Sequence, residues 1–364
     1  MARKIFVAAT GQNCGKTTTS VSLMYMARKS YQRVGFIKPL GPKPTVYNGM
    51  TVDKDAALMA GIFDLESDLQ LMSPLVLLPG DTQKVLDGGL SADLLEQQML
   101  AAIEELDRRC DFLIIEGAGH TGVGSVIGLS NAHIAKKVNA PVLMVTGGGI
   151  GNVIDAVYLN LAMFQMAGAD VRAILVNKIH PDKREKTLEY LGRAFKQEPF
   201  RVIGGFNYQP ILANPTLRRI SEVLDLELHG AADAEGQIVH HVQIGAAATQ
   251  RVAEMLRESS LLIVTSSRDE LLVMLANMYQ IDEYRPNIAG LVIPGVAPVS
   301  RITQKIIDRS GIPYMRTTRT TAEVFVLITD DVSKLNARDT QKIELITQLA
   351  DKRFDFEVID QLFA

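Results

Sequence analysis

Cysteine is scarce in this chain: Cys14 and Cys110 are the two present in 364 residues, too few for a disulfide framework or a four-cysteine metal site. Tryptophan is absent and aromatic residues make up 6%. Neither charge dominates, because 38 Lys and Arg stand against 41 Asp and Glu for a net charge of −3. That balance argues against a general nucleic-acid or membrane-surface binder, both of which need clustered excess Lys and Arg. No apolar run reaches membrane-spanning length, and Met1 leads into a strand rather than into an apolar segment with a small-residue cleavage site, so a cytoplasmic protein with free thiols is expected. The six histidines show no ligand spacing; His240 and His241 are adjacent, which sends them to opposite faces of a strand. A Gly-x-Ser nucleophile elbow and a Cys/His dyad are also missing. Hydrophobic residues, at 47%, supply material for two cores, in line with roughly 150 residues per domain.

What is present is concentrated at the start. The apolar run Ile5-Phe6-Val7-Ala8-Ala9 empties into Thr10-Gly11-Gln12-Asn13-Cys14-Gly15-Lys16-Thr17 and then into Thr18-Thr19-Ser20-Val21. This is strand, glycine loop and helix, with a Lys-Thr pair at the helix start. Such a loop aims backbone N–H groups and the positive end of the helix dipole at one point, which suits a phosphate chain. Thr10, Gly11, Asn13, Gly15, Lys16, Thr17 and Thr18 are the residues expected to bind ATP. Lys16 would reach the terminal phosphates, and the Thr17 hydroxyl would ligate Mg²⁺. The match to Gly-x-x-x-x-Gly-Lys-Ser/Thr departs at Thr10, which stands at the first glycine with Gly11 behind it.

Nearly continuous apolar strands at residues 5–9, 33–38, 111–116, 140–146 and 171–177, separated by helical patterns, predict an α/β fold. Strands buried on both faces look this way, and alternation with helices implies right-handed crossovers in a parallel sheet with helices on both faces. Ligands then belong at the carboxyl ends of the strands, where Lys38, Glu116 and Asn177 fall beside the phosphate loop. Glu116, followed by Gly117-Ala118-Gly119, is the expected metal carboxylate, or else a strand-terminal cap. Asp53 and Asp55 flank Lys54; either supplies a second carboxylate, or one caps the following helix. Lys38, extended before Pro39, either projects a second cation over the crevice or is a solvated lysine. Lys16, Lys38 and Glu116 are thus the candidate catalytic residues. The stripe Val153, Val157, Leu161 and Phe164 is either a dimer face or the side packed on its own sheet. Met24, Met26, Met163 and Met166 are expected to fill core gaps.

A turn-rich passage with Gly204-Gly205, Pro210, Asn214 and Pro215 marks a domain edge, giving residues 1–205 and 206–364 as the two domains. Short strands at 261–265, 288–293 and 312–315, helices at 269–279, 300–309 and 320–328, and a C-terminal helix near 339–352 predict a second, smaller α/β domain. Arg268, Arg316 and Arg319 gather by sequence at strand ends and would hold an anion, or else are surface arginines.

In order along the chain, the loop at residues 10–17, Lys38-Pro39, Glu116-Gly117-Ala118-Gly119 and Asn177 resemble the dethiobiotin synthetase family of phosphate-loop ATPases over roughly residues 1–205. The resemblance implies Mg²⁺ and ATP, with Asn177 reading the base; ATP is preferred to GTP because His180 stands where a guanine-reading Asp is expected. It also implies a homodimer. Two places depart from that family: Leu40-Gly41-Pro42-Lys43 replaces the hydroxyl-bearing substrate turn, and His120-Thr121-Gly122-Val123-Gly124 follows the metal acid. The second half is similar to the DRTGG domain found beside such ATPase domains in the N-terminal portion of some long phosphate acetyltransferases, through Asn214-Pro215-Thr216-Leu217, Thr265-Ser266-Ser267-Arg268-Asp269 and Ile293-Pro294-Gly295. With the chain ending at Ala364, acetyl transfer is not expected of it. The expected function is a nucleotide-responsive regulator or adaptor whose second domain senses an anionic metabolite; the alternative is an ATP-dependent ligase acting on a carboxylate or carbamate. A piece ending near Gly205 is expected to retain ATP binding.

Overall fold

The apolar runs become parallel strands because a sheet covered on both faces removes their apolar surface from water. Residues 5–9 are completely buried, as are Phe112, Leu113, Ile114 and Ile115. The structure, a computed structural model, describes residues 1–231, 233–331 and 334–364. Among these, the first sheet runs Arg201–Gly204, Val171–Asn177, Val142–Gly147, Arg3–Ala9, Phe112–Glu116 and Val34–Ile37 from one edge to the other. Every neighbouring pair is parallel. The strand Arg3–Ala9 lies inside the sheet, and the chain builds outward from it in both directions. That divergence opens a crevice at its carboxyl end, where the phosphate loop leaves Ala9. Register sets Glu116 level with Val7, and Asn177 level with Gly147.

Two features were not legible in the apolar pattern. Arg201–Gly204 adds a sixth strand at the expected domain edge. A hairpin of Pro44–Tyr47 and Met50–Asp53 pairs antiparallel, its turn carried by Asn48 and Gly49, both at positive φ. Helix Ile150–Ala167 presents Val153, Val157, Leu161 and Phe164 to its own core, each 0–4% exposed. The stripe therefore belongs to the sheet it covers. Met24 is buried but Met166, on the same helix as the stripe, is 83% exposed, so it does not fill a core gap.

Two units divide the described residues: Met1–Gln209 with Ile343–Ala364, and Pro210–Lys342. The expected second domain thus loses its last segment, for a packing reason. Ile346, Ala350, Phe354, Phe356, Ile359 and Phe363 are 0–6% exposed. The Phe356 ring lies 5.9 Å from Phe112 and the Phe354 ring stacks 5.8 Å from Phe206. Asp360 accepts from Tyr31 Oη at 2.6 Å and pairs with Arg3 at 2.6 Å.

The second unit carries its own parallel sheet, His241–Ile244, Ser260–Ile263, Ile288–Ile293 and Tyr314–Arg316 in that order. Successive side chains leave on opposite faces. Leu262 joins Leu271, Leu275 and Ile307 on one side; Leu261 and Ile263 join Leu217, Ile220 and Val324 on the other.

Candidate functional site

The phosphate loop owes its shape to two left-handed residues, Asn13 at φ 59° and Gly15 at φ 90°. At Gly15 a side chain is excluded twice, since a Cβ there would also sit 2.9 Å from Asn177 Nδ2. Helix Lys16–Ser30 begins directly after it with no side-chain cap, leaving its positive end to a ligand. Thr10 anchors the loop start by donating from Oγ1 to Thr146 Oγ1 at 3.0 Å. Gly11, Thr17 and Thr18 are half-buried and Asn13 is exposed.

Facing the loop is a cluster of cations and carboxylates contributed by separate elements. Lys38, 2% exposed, donates to Asp55 Oδ2 at 2.7 Å, Glu116 Oε1 at 2.9 Å and the Gly117 carbonyl at 3.1 Å. Burial alone would lower the Lys38 ammonium, but the carboxylates of Asp55, Glu116 and Asp53 hold it above its ordinary value. Thr17 Oγ1 lies 3.3 Å from Asp55 Oδ1 and 3.5 Å from Glu116 Oε1. Glu116 is completely buried and its Oε2 has no hydrogen-bond partner. Lys16 donates to the Gly119 carbonyl at 2.7 Å; burial, with the like charge of Lys38, lowers it to about 8. One hydroxyl and two carboxylates, one carrying an orphaned buried oxygen, form an all-oxygen donor set that fits a hard divalent cation keeping several waters. Among the described residues there is no group of three or more His, Cys, Asp or Glu suited to a metal.

Asp53 stands apart from this cluster in its bonding. It is the N-cap of helix Lys54–Phe63: Oδ1 accepts from the Asp55 amide at 2.9 Å, and Oδ2 from the Lys43 amide at 3.2 Å. Burial raises its carboxyl to about 6. Asn177 is 2% exposed, and its amide is engaged on both sides. Nδ2 donates to the Cys14 carbonyl at 3.3 Å and to Thr19 Oγ1 at 3.2 Å, while Oδ1 accepts from the Phe206 amide at 2.9 Å. In this arrangement it braces the phosphate loop.

Two residues that the sequence reading did not single out hold the segment after Glu116. Asn131 is completely buried. Its Oδ1 accepts from the Ala118 amide, and its Nδ2 donates to the carbonyls of Ala118 and His120. Asn160 binds the Thr121 amide and the Thr10 carbonyl. For Asn160 a signal existed: an amide inside the periodic stripe of Val153, Val157, Leu161 and Phe164 must be satisfied within the fold.

In the second unit Arg268, Arg316 and Arg319 all donate to backbone carbonyls, and Arg268 also pairs with Glu270. Arg268 donates to the carbonyls of Gly245 and Ala247 at 3.1 Å each. Arg316 donates to those of Ile293, Gly295 and Ala297 at 2.6–2.7 Å, and Arg319 to that of Leu224 at 2.6 Å. These bonds close loops at the carboxyl edge. A recess of about 640 Å³ lies at the opposite edge, lined among others by Asp233, Gln237, His240, Glu258, Tyr279 and Arg285. The Arg285 guanidinium is steadied 5.1 Å above the Tyr279 ring.

Two family models match the chain, one described as an AAA domain over residues 3–216 and one as a DRTGG domain over residues 219–330. A phosphate acetyltransferase of Synechocystis is 22% identical over 98% of this chain and 51% of its own length. The dethiobiotin synthetase BioD of Idiomarina loihiensis is 26% identical over 51% of this chain and 84% of its own length. An ATP complex of McdA from Cyanothece is 14% identical, covering 57% of this chain and 84% of that one, with a TM-score of 0.39. The chain spans about half the length of the phosphate acetyltransferase it matches. No helix among the described residues is long and apolar enough to cross a membrane.

Proposed function

The chain belongs to the AAA domain family, and from that premise we propose that it is a nucleotide-responsive regulator or adaptor: its first unit binds Mg·ATP at residues 10–18, and its second unit senses a small ligand. One observation supports this above the rest: the buried Glu116 oxygen without a partner, next to Thr17 and Asp55, beside the uncapped start of helix Lys16–Ser30. Thr17, Asp55 and Glu116 would hold Mg²⁺, which when bound neutralises phosphate charge. Asp53, occupied as a helix cap, orients Asp55 instead. Lys16 would exchange the Gly119 carbonyl for a phosphate oxygen, a stronger charge-assisted bond. ATP is preferred to GTP because His180 stands where an acid would read guanine.

The ligand of the second unit would sit in the recess lined by Arg285 and His240 rather than among Arg268, Arg316 and Arg319. A homodimer remains part of the proposal on the resemblance to dethiobiotin synthetases alone, since the helix stripe is used internally; light scattering returning the mass of one chain would reject it. We assign the protein to the cytoplasm, where two unpaired cysteines stay reduced.

A second reading, an ATP-dependent ligase acting on a carboxylate or carbamate, draws on Lys38, a buried cation beside the metal carboxylates. Calorimetry decides the shared premise: Lys16→Ala should weaken Mg·ATP by roughly tenfold to a hundredfold, and equal affinity would reject the site. Turnover separates the two readings. Rapid ATP consumption dependent on diaminopelargonate and CO₂, abolished by Glu116→Gln, would favour the ligase.

A further inference from the structure

Asn160 is the polar member of an otherwise apolar face. It is 6% exposed, on the same side of helix Ile150–Ala167 as Val153, Val157, Leu161 and Phe164. A buried amide is costly unless paired, and this one is paired three times. Nδ2 donates to the Thr10 carbonyl at 3.0 Å and to the Ala156 carbonyl at 2.8 Å, and Oδ1 accepts from the Thr121 amide at 3.2 Å. Thr10 opens the phosphate loop, and Thr121 lies in the glycine-rich segment 117–124. One side chain from a third element therefore spans the two loops that border the nucleotide site.

A second link joins the same two loops, the 2.7 Å bond from Lys16 to the Gly119 carbonyl. The two links differ in what a polyphosphate does to them. A neutral carbonyl competes poorly with a phosphate oxygen for an ammonium, so ligand binding removes the Lys16 link and leaves Asn160 in place. The segment released also has a bond to gain on rearranging, because Thr121 is 2% exposed and its Oγ1 has no partner.

We infer that Asn160 is a positioning residue that carries nucleotide occupancy from the phosphate loop to segment 117–124, making that segment the nucleotide-responsive face of the first unit. The inference rests on Mg·ATP binding at residues 10–18 and adds the element that reports it.

Hydrogen exchange on the full chain tests this, followed in peptides covering residues 117–126 with and without Mg·ATP, beside an ATP titration of each sample. In the wild type, exchange there should change by about threefold or more on saturation. Asn160→Leu should lose that response while ATP affinity falls by less than about tenfold. Asn160→Asp keeps the size and the acceptor for the Thr121 amide but sets a carboxylate against the Thr10 and Ala156 carbonyls; it should behave the same way and serves if the leucine variant does not fold. A purely packing role would lower the melting temperature while leaving the ATP response intact, and that result overturns the inference. So does a wild type that binds ATP without change at 117–126. A wild type that binds no ATP removes the functional reading, and this inference with it.

Discussion

Lys38 shows how a single residue can be held by charged neighbours and hold them in turn. Its ammonium is the counter-charge of a fully buried glutamate, and removing one partner of a buried pair leaves the other charge uncompensated. Lys38→Met should therefore cost about 3–5 kcal/mol in a urea titration, and Glu116→Gln in the same chain should recover part of it. A loss below about 1 kcal/mol would mean that water reaches the cluster. Cys110 offers a test by pH. Burial, with the nearby charge of Asp68, raises its thiol to about 11 from an ordinary 9.0. The folded state thus keeps a proton that the unfolded chain releases between these values, so stability should fall as pH rises from 9 to 11. At pH 8 the thiolate is about a hundredfold scarcer than in the unfolded chain, and iodoacetamide followed by mass spectrometry should find labelling slowed to match.

At the scale of elements, the phosphate loop depends on a strand two positions away in the sheet. Asn177 ends the strand Val171–Asn177 and reaches the Cys14 carbonyl and the Thr19 hydroxyl. Asn177→Ala orphans the buried Phe206 amide as well, for a loss of about 1–3 kcal/mol, and should weaken ATP more than its distance from any phosphate suggests. Equal ATP affinity in the variant and the wild type would confine Asn177 to stability. The hairpin Pro44–Asp53 is tied into the site in a similar way. Asp53 closes its second strand and caps helix Lys54–Phe63 in one step, and so fixes where Asp55 points.

For the whole molecule, the return of residues 343–364 to the first unit alters what a truncation can achieve. Five large apolar side chains of that segment, Ile346, Phe354, Phe356, Ile359 and Phe363, are at most 6% exposed, and each contributes roughly 1.5–3 kcal/mol by burial. A chain ending at 209 should therefore melt on the order of 10 °C or more below the full protein and bind ATP poorly. Adding residues 343–364 as a separate peptide should restore part of both, as followed by circular dichroism and calorimetry. Full ATP binding by that shortened chain would bear out the sequence-based expectation against the packing.

The sequence by itself determined the phosphate loop, the five buried strands and the carboxyl edge that gathers Lys38, Glu116 and Asn177, because unbroken apolar runs and glycine spacing are local signals read within a few residues. It did not tell Asp53 from Asp55, and in the fold Asp53 takes the amides of Asp55 and Lys43 while Asp55 takes the Lys38 ammonium. The fate of the Val153 stripe, the backbone duties of Arg268, Arg316 and Arg319, and the docking of Phe354 and Phe356 were likewise decided by the tertiary structure. Each depends on contacts between residues remote in sequence, and a side chain takes the partner that best satisfies its charge or apolar surface once the chain has closed around it.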